Sequence, residues 1–258
     1  MMQLTTHSKF YYGWQVTTNN KFLDFNDGSG VKLVTLSVGY YTSSQLAAEI
    51  EKQMNAVSSV DFTVSFNRST RKFTISAATN FSLLFLTGSN AGQSPYDLLG
   101  YSQTDKTGTN SYLAENVSGY EYTTQFYIQS YKDPTTNRKA VDGVINESSS
   151  GEIEVIKFGN KRFMQAEFLF ITNLIQETGS IVRTNVNGVS DFIQLMEWLT
   201  EKAPIEFMKD ESDVETFNEY ILESTEQDSK GLDYDLIEEY ERGLPDYYKS
   251  GKLQFRLI

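Results

Sequence analysis

The chain has 258 residues, 39% of them hydrophobic, 14% aromatic and 22% charged, with a formal net charge of −12. That length holds one large domain or two smaller ones with a substantial core, and 16 Tyr with 17 Phe favour strands that bury much surface per residue. Without cysteine there are neither disulfides nor thiolate metal sites. No apolar run approaches the about eighteen residues of a membrane span. The start, Met1-Met-Gln-Leu-Thr-Thr-His7, lacks a signal-peptide pattern, so the chain is expected to be kept in a cytoplasm or built there into something larger.

In chain order, the aromatic stretch Lys9–Thr17 predicts a strand, and Lys21–Phe25 and Val31–Val38 alternate as two more. Between these two, Asn26-Asp-Gly-Ser-Gly30 carries the Asp-Gly dipeptide of a tight hairpin. Thr42 and Gln45, three apart, form a capping box ahead of a helix. Leu46, Ala47, Ile50, Met54 and Val57 line its apolar face, with Glu49, Glu51, Lys52 and Gln53 opposite. The period then switches to two for Asp61–Phe66 and Lys72–Ala77, joined by the polar connector Asn67–Arg71. A third strand, Phe81–Leu86, is apolar on both faces. Ser94-Pro95 opens one helical turn that Gly100 ends.

Gln103–Ser111, polar and rich in Gly and Thr, is expected to be a loop, as is Lys132–Lys139 with its Asp-Pro-Thr-Thr-Asn turn signature. Strands are predicted at Tyr120–Tyr131, Val141–Asn146, Glu152–Phe158 and Arg162–Thr172. Asn187-Gly-Val-Ser190 caps a second helix with Phe192, Leu195, Met196 and Leu199 on its buried face and Pro204 as its stop. Short strands at Glu206–Phe207 and Thr216–Glu223, a short helix at Asp235–Arg242 and a strand at Lys252–Ile258 complete the pass. Both halves repeat the order strands, helix, strands, without residue-level identity. The expected class is α+β, mainly β, with sandwich- or barrel-like units and flanking helices over residues 1–115 and 116–258.

Charge divides unevenly. Residues 1–140 carry 11 Lys and Arg against 10 Asp and Glu, residues 141–258 carry 11 against 24, and the acid concentrates between Glu206 and Asp246. Such a surface repels phosphate, which argues against sequence-specific nucleic-acid binding. It fits either a solvated face or a docking surface for a basic partner.

Few residues invite chemistry. His7 is the single histidine, without Cys or a Gly-x-Ser-x-Gly elbow to accompany it, which leaves no usual zinc site or nucleophile–base pair. The carboxylates of Glu206–Glu241 leave room for a glycosidase-like pair, but charge runs of this kind belong to solvated surface. Asp24-Phe-Asn-Asp-Gly-Ser-Gly30 imitates a calcium loop with its Asp-Gly one residue early, so turn chemistry is the expected role. Gly88-Ser-Asn-Ala-Gly92 lacks the Lys of a phosphate loop. Arg68, Arg71 and Lys72 form a basic cluster suited to an acidic neighbour, including the acidic half of another copy. No catalytic, cofactor or metal site is expected. Trp14, Trp198 and the Tyr-rich strands are the residues a carbohydrate- or receptor-binding β-sandwich would use, although their spacing favours the core.

One span is distinctive as an ordered set. It runs from Tyr41-Thr-Ser-Ser-Gln-Leu-Ala-Ala-Glu-Ile through Phe62-Thr-Val-Ser-Phe-Asn and Arg71-Lys-Phe-Thr-Ile-Ser to Phe81-Ser-Leu-Leu-Phe-Leu-Thr-Gly. Tyr96-Asp-Leu-Leu-Gly-Tyr and Asp105-Lys-Thr-Gly-Thr-Asn-Ser-Tyr112 close it. Together these resemble a recurring segment of tailed-bacteriophage virion structural proteins. Arg183-Thr-Asn-Val-Asn-Gly-Val-Ser-Asp-Phe, Ala203-Pro-Ile-Glu-Phe-Met and Arg242-Gly-Leu-Pro-Asp-Tyr-Tyr are similar to the same group. The resemblance implies a non-enzymatic, repeated part of a particle, assembled in the host cytoplasm: a ring-forming tail, baseplate or neck protein, with other virion proteins and further copies of itself as partners. It supplies no catalytic residues.

Overall fold

A computed structural model of the chain describes residues 8–123, 138–147, 153–168, 171, 177–178, 181–182, 188–208, 217–225, 237–238 and 248–258. The chain divides into two units. The first comprises Phe10–Glu121 together with Pro204–Glu206, and the second Met1–Lys9, Tyr122–Ala203 and Phe207–Ile258.

In chain order the early elements are β1 Lys9–Tyr12, β2 Trp14–Val16, β3 Phe22–Asn26, β4 Val31–Thr35, β5 Gly39–Tyr41, α1 Ser43–Val57, β6 Phe62–Asn67, β7 Lys72–Leu83, β8 Lys106–Leu113 and β9 Tyr120–Thr123. The strand expected over Lys9–Thr17 is broken at Gly13, whose φ of +103° ends one extended run and starts another. Strand β7 is the spine of the first unit. It pairs antiparallel with β6 along Lys72–Ala77, with β3 at Ser82 and Leu83, and with β8 on its other side. The hairpin strand and the third apolar strand expected from sequence are therefore one strand. Ala77–Asn80 stays extended between them while its register with β8 shifts. Phe81 and Leu83 are buried whereas Leu84 is half-buried, so only one face is apolar.

The loop expected at Gln103–Ser111 is overturned over most of its length: Lys106–Leu113 is an edge strand. Nearly all its residues are exposed, so neither face selects apolar side chains and the alternation that reveals a strand is missing. Its backbone is nevertheless occupied. Thr109 Oγ1 accepts from the Ser111 N–H at 3.1 Å and donates to the Ser111 carbonyl at 2.7 Å, and the Thr109 N–H donates to Tyr112 Oη at 3.1 Å.

The helix α1 carries its capping box as expected: Thr42 Oγ1 accepts from the Gln45 N–H and Gln45 Oε1 from the Thr42 N–H, both at 3.2 Å. Leu46, Ala47, Ile50 and Met54 are buried, while Val57 at the far end is exposed. The polar side of α1 is used rather than solvated throughout. Asn55 receives the Phe62 N–H at 2.7 Å and gives its amide to the Phe62 carbonyl at 3.0 Å, and Glu51 accepts the Val64 N–H at 2.9 Å. These side chains satisfy β6 on the side away from β7, doing for that edge what a further strand would do. Glu49 accepts from the Ser37 N–H and hydroxyl at 3.0 and 2.8 Å.

Aromatic rings fill the interior of the first unit, most of them edge to face. Phe25, Phe62, Phe81 and Tyr112 form one series with centroids 4.9–5.2 Å apart, and Trp14, Phe66 and Phe73 another at 4.8–5.3 Å. Each such contact is worth about 0.5–1.5 kcal/mol beyond the area it buries. Trp14 has no exposed surface; its indole N–H donates to Ser118 Oγ at 2.9 Å, and that hydroxyl donates to the Leu98 carbonyl at 2.6 Å. The ring lies so close to Gly119 (φ +68°) that a Cβ there would stand 2.6 Å from two indole carbons. Gly100, with φ +79°, ends the Pro95–Leu99 turn as expected.

Beyond residue 123 the described elements are β10 Arg138–Glu147, β11 Ile153–Glu167, β12 Glu177–Thr178, β13 Ile181–Val182, α2 Val189–Thr200, β14 Ile205–Met208, β15 Asn218–Thr225, β16 Ile237–Glu238, β17 Tyr248–Lys249 and β18 Lys252–Leu257. In the second unit β10, β11, β18 and β15 lie in that order, antiparallel throughout. The two strands expected at Glu152–Phe158 and Arg162–Thr172 are joined in β11. Helix α2 buries Phe192, Leu195, Met196 and Leu199 as expected, and Asp191 Oδ2 accepts the Gly188 N–H at 2.7 Å. Phe192 meets Phe168 and Tyr122 in a three-ring cluster with centroids 5.0–5.7 Å apart.

The short helix expected at Asp235–Arg242 is contradicted at its centre, where Ile237 and Glu238 pair antiparallel with Lys249 and Tyr248. Eight residues make a marginal helix, and a partner strand overrides so weak a preference. The rest of that segment lies outside the described residues, as do His7, Asn187, most of the predicted strand Tyr120–Tyr131 and residues 132–137 of the predicted loop. The fold is mainly β with two α-helices among the described residues, the α+β, mainly β class expected from sequence.

The use of Asn55 as a strand substitute generates a prediction. Asn55→Ala leaves the Phe62 N–H and carbonyl without a partner at a half-buried edge, and is expected to lower stability by about 1–3 kcal/mol in urea denaturation. Lys52→Ala, on the exposed side of the same helix, is expected to change it by less than about 0.5 kcal/mol.

Candidate functional site

The densest polar cluster in the first unit surrounds Glu206. Its side chain has no exposed surface. Glu206 Oε1 accepts from the Ser43 N–H at 2.8 Å, Ser43 Oγ at 2.6 Å and the Ser44 N–H at 3.3 Å, and Oε2 accepts from Arg68 Nε at 2.8 Å. Ser43 and Ser44 are the first residues of α1, so the carboxylate sits where the helix presents unbonded N–H groups and the positive end of its dipole. No residue of the helix's own first turn is acidic. The anion that this helix end attracts comes from 163 positions downstream.

This placement corrects one sequence expectation: Glu206 does not belong to a solvated acidic face but is a buried, fully ligated carboxylate. Arg68 meets an acidic neighbour, here an acid of its own chain. The other basic residues of the cluster part company with it: Lys72 Nζ donates to the Glu115 carbonyl at 2.6 Å, and Arg71 closes the β6–β7 connection with φ +53°. Tyr11 lies nearby, its hydroxyl pKa raised by burial and then by Glu121, to which it is hydrogen-bonded, with Arg71 opposing.

The calcium-like loop is a turn. Asn26 Oδ1 accepts the Gly28 N–H at 2.8 Å, and Asp27 Oδ1 accepts from the Ser29 N–H and hydroxyl at 2.9 and 2.6 Å. Asp27 Oδ2 takes the hydroxyl of Ser58, the residue that ends α1, at 2.8 Å. Asp24 turns to Asn90, accepting its N–H at 2.7 Å, which draws the Gly88–Gly92 loop onto β3. That loop is thereby occupied by a carboxylate of the chain itself. Of the described carboxylates between Glu206 and Glu241, Glu223 lies 3.7 Å from Arg256; residues 209–216, 226–236 and 239–247 lie outside the described residues. Among the described residues no group of three or more His, Cys, Asp and Glu could hold a metal ion, and no helix is long and apolar enough to cross a membrane.

Some of the exposed apolar side chains of the first unit lie on its strands β4 and β8. Val31 and Leu33 are 62% and 44% exposed on β4, which among the described residues pairs only with β3; Leu113 at the end of β8 is 58% exposed. Trp14 is buried and so offers no open stacking face of the kind a sugar-binding site requires, while Trp198 is half-buried.

Two predictions follow from the charges. Glu206→Ala removes the carboxylate that pairs with Arg68 at 2.8 Å and is expected to cost about 3–5 kcal/mol in urea unfolding, against less than about 0.5 kcal/mol for the exposed Glu201→Ala. The Asp27 carboxyl is held at about 2, below its ordinary value of 3.8, first by the Ser29 hydroxyl and then, against desolvation, by the Ser29 N–H, the Ser58 hydroxyl and Lys32. A lowered folded-state pKa contributes stability that is present above the unfolded value and lost as pH falls through the folded one. The wild type should therefore lose stability between about pH 4 and pH 2, and Asp27→Asn should flatten that part of the profile, as read by thermal melts across the range.

No family model matches the chain, and no curated protein matches it. Among solved structures, the penton protein of mavirus is similar to it at 12% sequence identity and a TM-score of 0.25, over 98% of this chain and 84% of that one. A likeness at that level carries no argument about fold or partners.

Proposed function

We propose that the protein is a non-enzymatic structural component of a tailed-phage virion, acting through contacts with other virion proteins and with further copies of itself in a ring of the tail, baseplate or neck. The observation that carries this reading is the ordered motif set of Tyr41–Tyr112, whose pieces fold as one framework. Helix α1 is bonded by Asn55 and Glu51 to β6, β6 pairs with β7, β7 pairs with β8, and the Asp97-Leu-Leu-Gly100 turn closes beside them. In this reading the framework positions the surfaces that neighbours meet, and its own polar groups are spent on internal bonds.

The solvent edges of the first unit support the same reading. Among the described residues strands β4 and β8 each pair on one side only, and they expose Val31, Leu33 and Leu113, apolar side chains that a neighbouring subunit would cover. The rival, a carbohydrate-binding module, loses its leading residue because Trp14 is enclosed and hydrogen-bonded.

Analytical ultracentrifugation and negative-stain electron microscopy of the purified chain test the proposal. Closed rings of a single order, or rings nucleated by adding the proteins encoded beside it, are the expected result. A monomer at every concentration, with and without those proteins, together with a specific hit on a glycan array, would overturn it in favour of the recognition module.

A further inference from the structure

Two hydrogen bonds fix which way the backbone of β4 faces. The Leu36 N–H donates to the Lys21 carbonyl at 2.8 Å, so Leu36, and by alternation Val34 and Lys32, turn their backbone groups toward β3. Asp24, the register partner of Leu33, gives its carbonyl instead to the Leu84 N–H at 2.9 Å, on the other side of β3. The N–H and C=O groups of Val31, Leu33 and Thr35 therefore point away from β3, and among the described residues nothing receives them. This opening is bounded. Beyond Thr35 the Ser37 N–H goes to Glu49 and the Ser37 carbonyl takes the Tyr41 hydroxyl at 2.7 Å, and before Val31 the chain enters the Asn26–Gly30 turn. By contrast β6 is bonded by Asn55 and Glu51 of α1, and β8 by its own Thr109 and Tyr112.

We propose that the open edge of β4 pairs antiparallel with the same edge of a second copy of the chain, about a two-fold axis at Leu33. The open residues are symmetric about Leu33, so this register sets Leu33 against its own counterpart and each Val31 against a Thr35. Facing residues then exchange both backbone bonds, which gives about six hydrogen bonds across the axis. The side chains suit the same register. Val31, Leu33 and Thr35 share the exposed face of the strand while Val34 is buried, so Leu33 covers Leu33 and each Val31 lies beside the methyl group of a Thr35. Charge does not oppose it. Lys32, the charged residue of the strand, falls opposite Val34, and its positive charge acts on Asp27 in the adjoining turn. Sliding the pairing by two residues loses one of the facing pairs, and sliding toward the turn also sets Lys32 against Lys32. A head-to-tail pairing would need a second open edge, which β6 and β8 do not supply. The contact is isologous, so it joins two copies, or two rings of copies, and cannot itself close a ring; it stands independently of the virion reading.

A charge swap at Leu33 tests the axis, because a two-fold contact sets this residue against itself. Sedimentation velocity of the full chain is expected to show the wild type as a pair, of monomers or of rings. Leu33→Lys and Leu33→Glu are each expected to weaken the pairing about tenfold or more, leaving species of half the mass at the same concentration. An equimolar mixture of the two variants is expected to recover the larger species at low ionic strength. Leu113→Lys, a charge at an exposed leucine of β8, is expected to leave the wild-type mass unchanged. Should a charge at Leu33 unfold the chain, Leu33→Pro is read in the same way, since it removes an N–H that points outward and leaves the bonds to β3 in place. A wild type that stays monomeric up to about 1 mM, folded variants that keep the wild-type mass, or a mixture no larger than its components would each overturn the proposal. In the first case amide exchange at Val31, Leu33 and Thr35 names what replaces it: slow exchange means that another part of the same chain covers the edge, and fast exchange that a different protein does.

Discussion

A carboxylate taken out of water must find donors to replace it, and the first unit is arranged so that Glu206 finds four. Two are backbone N–H groups that any helix of this kind leaves over, one is a hydroxyl and one is a guanidinium. The arrangement runs both ways. The acid serves the start of α1 and Arg68 at once; without the helix end and Arg68, it would be among the costliest groups in the molecule to bury. The position of α1, and with it the buried row Leu46, Ala47, Ile50 and Met54, is thereby tied to a residue far along the chain.

The same economy governs the strands. A sheet edge is a row of open donors and acceptors, and the first unit treats its edges differently. Side chains of α1 close β6, β8 is occupied by its own Thr109 and Tyr112, and β4 pairs on one side with outward Val31 and Leu33. Closing an edge with Asn55 and Glu51 places polar residues on the inward flank of a helix, where a reading by amphipathicity alone assigns them to solvent.

That difference marks how far the sequence is legible. Signals confined to a few neighbouring residues are read correctly: the Thr42–Gln45 capping box, the buried stripe Phe192, Leu195, Met196 and Leu199, and the Asp27-Gly28 turn between β3 and β4. Signals that depend on a distant partner are not. Nothing near Glu206 announces Ser43, since the two are 163 positions apart and the surrounding acids mask it. Strand β8 hides because an edge exposed on both faces has no reason to alternate, and Ile237–Glu238 reads as helix because its strand partner, Tyr248–Lys249, lies outside the segment. The virion resemblance belongs to a third kind of signal, an order of ordinary pieces, and carries no chemistry that a single residue could reveal.

The discontinuity of the first unit has a consequence for inheritance. A module that is continuous in the gene can be passed between genomes by one recombination event at its boundary. Here an exchange near residue 122 would transfer the aromatic interior, the helix and the whole β6–β7–β8 arrangement, yet leave behind the three residues that carry the helix's counter-charge. A recipient would need an acid of its own at the equivalent place, or a second exchange upstream of residue 207. Recombination between related chains is therefore expected to keep Arg68 and Glu206 together or to lose both.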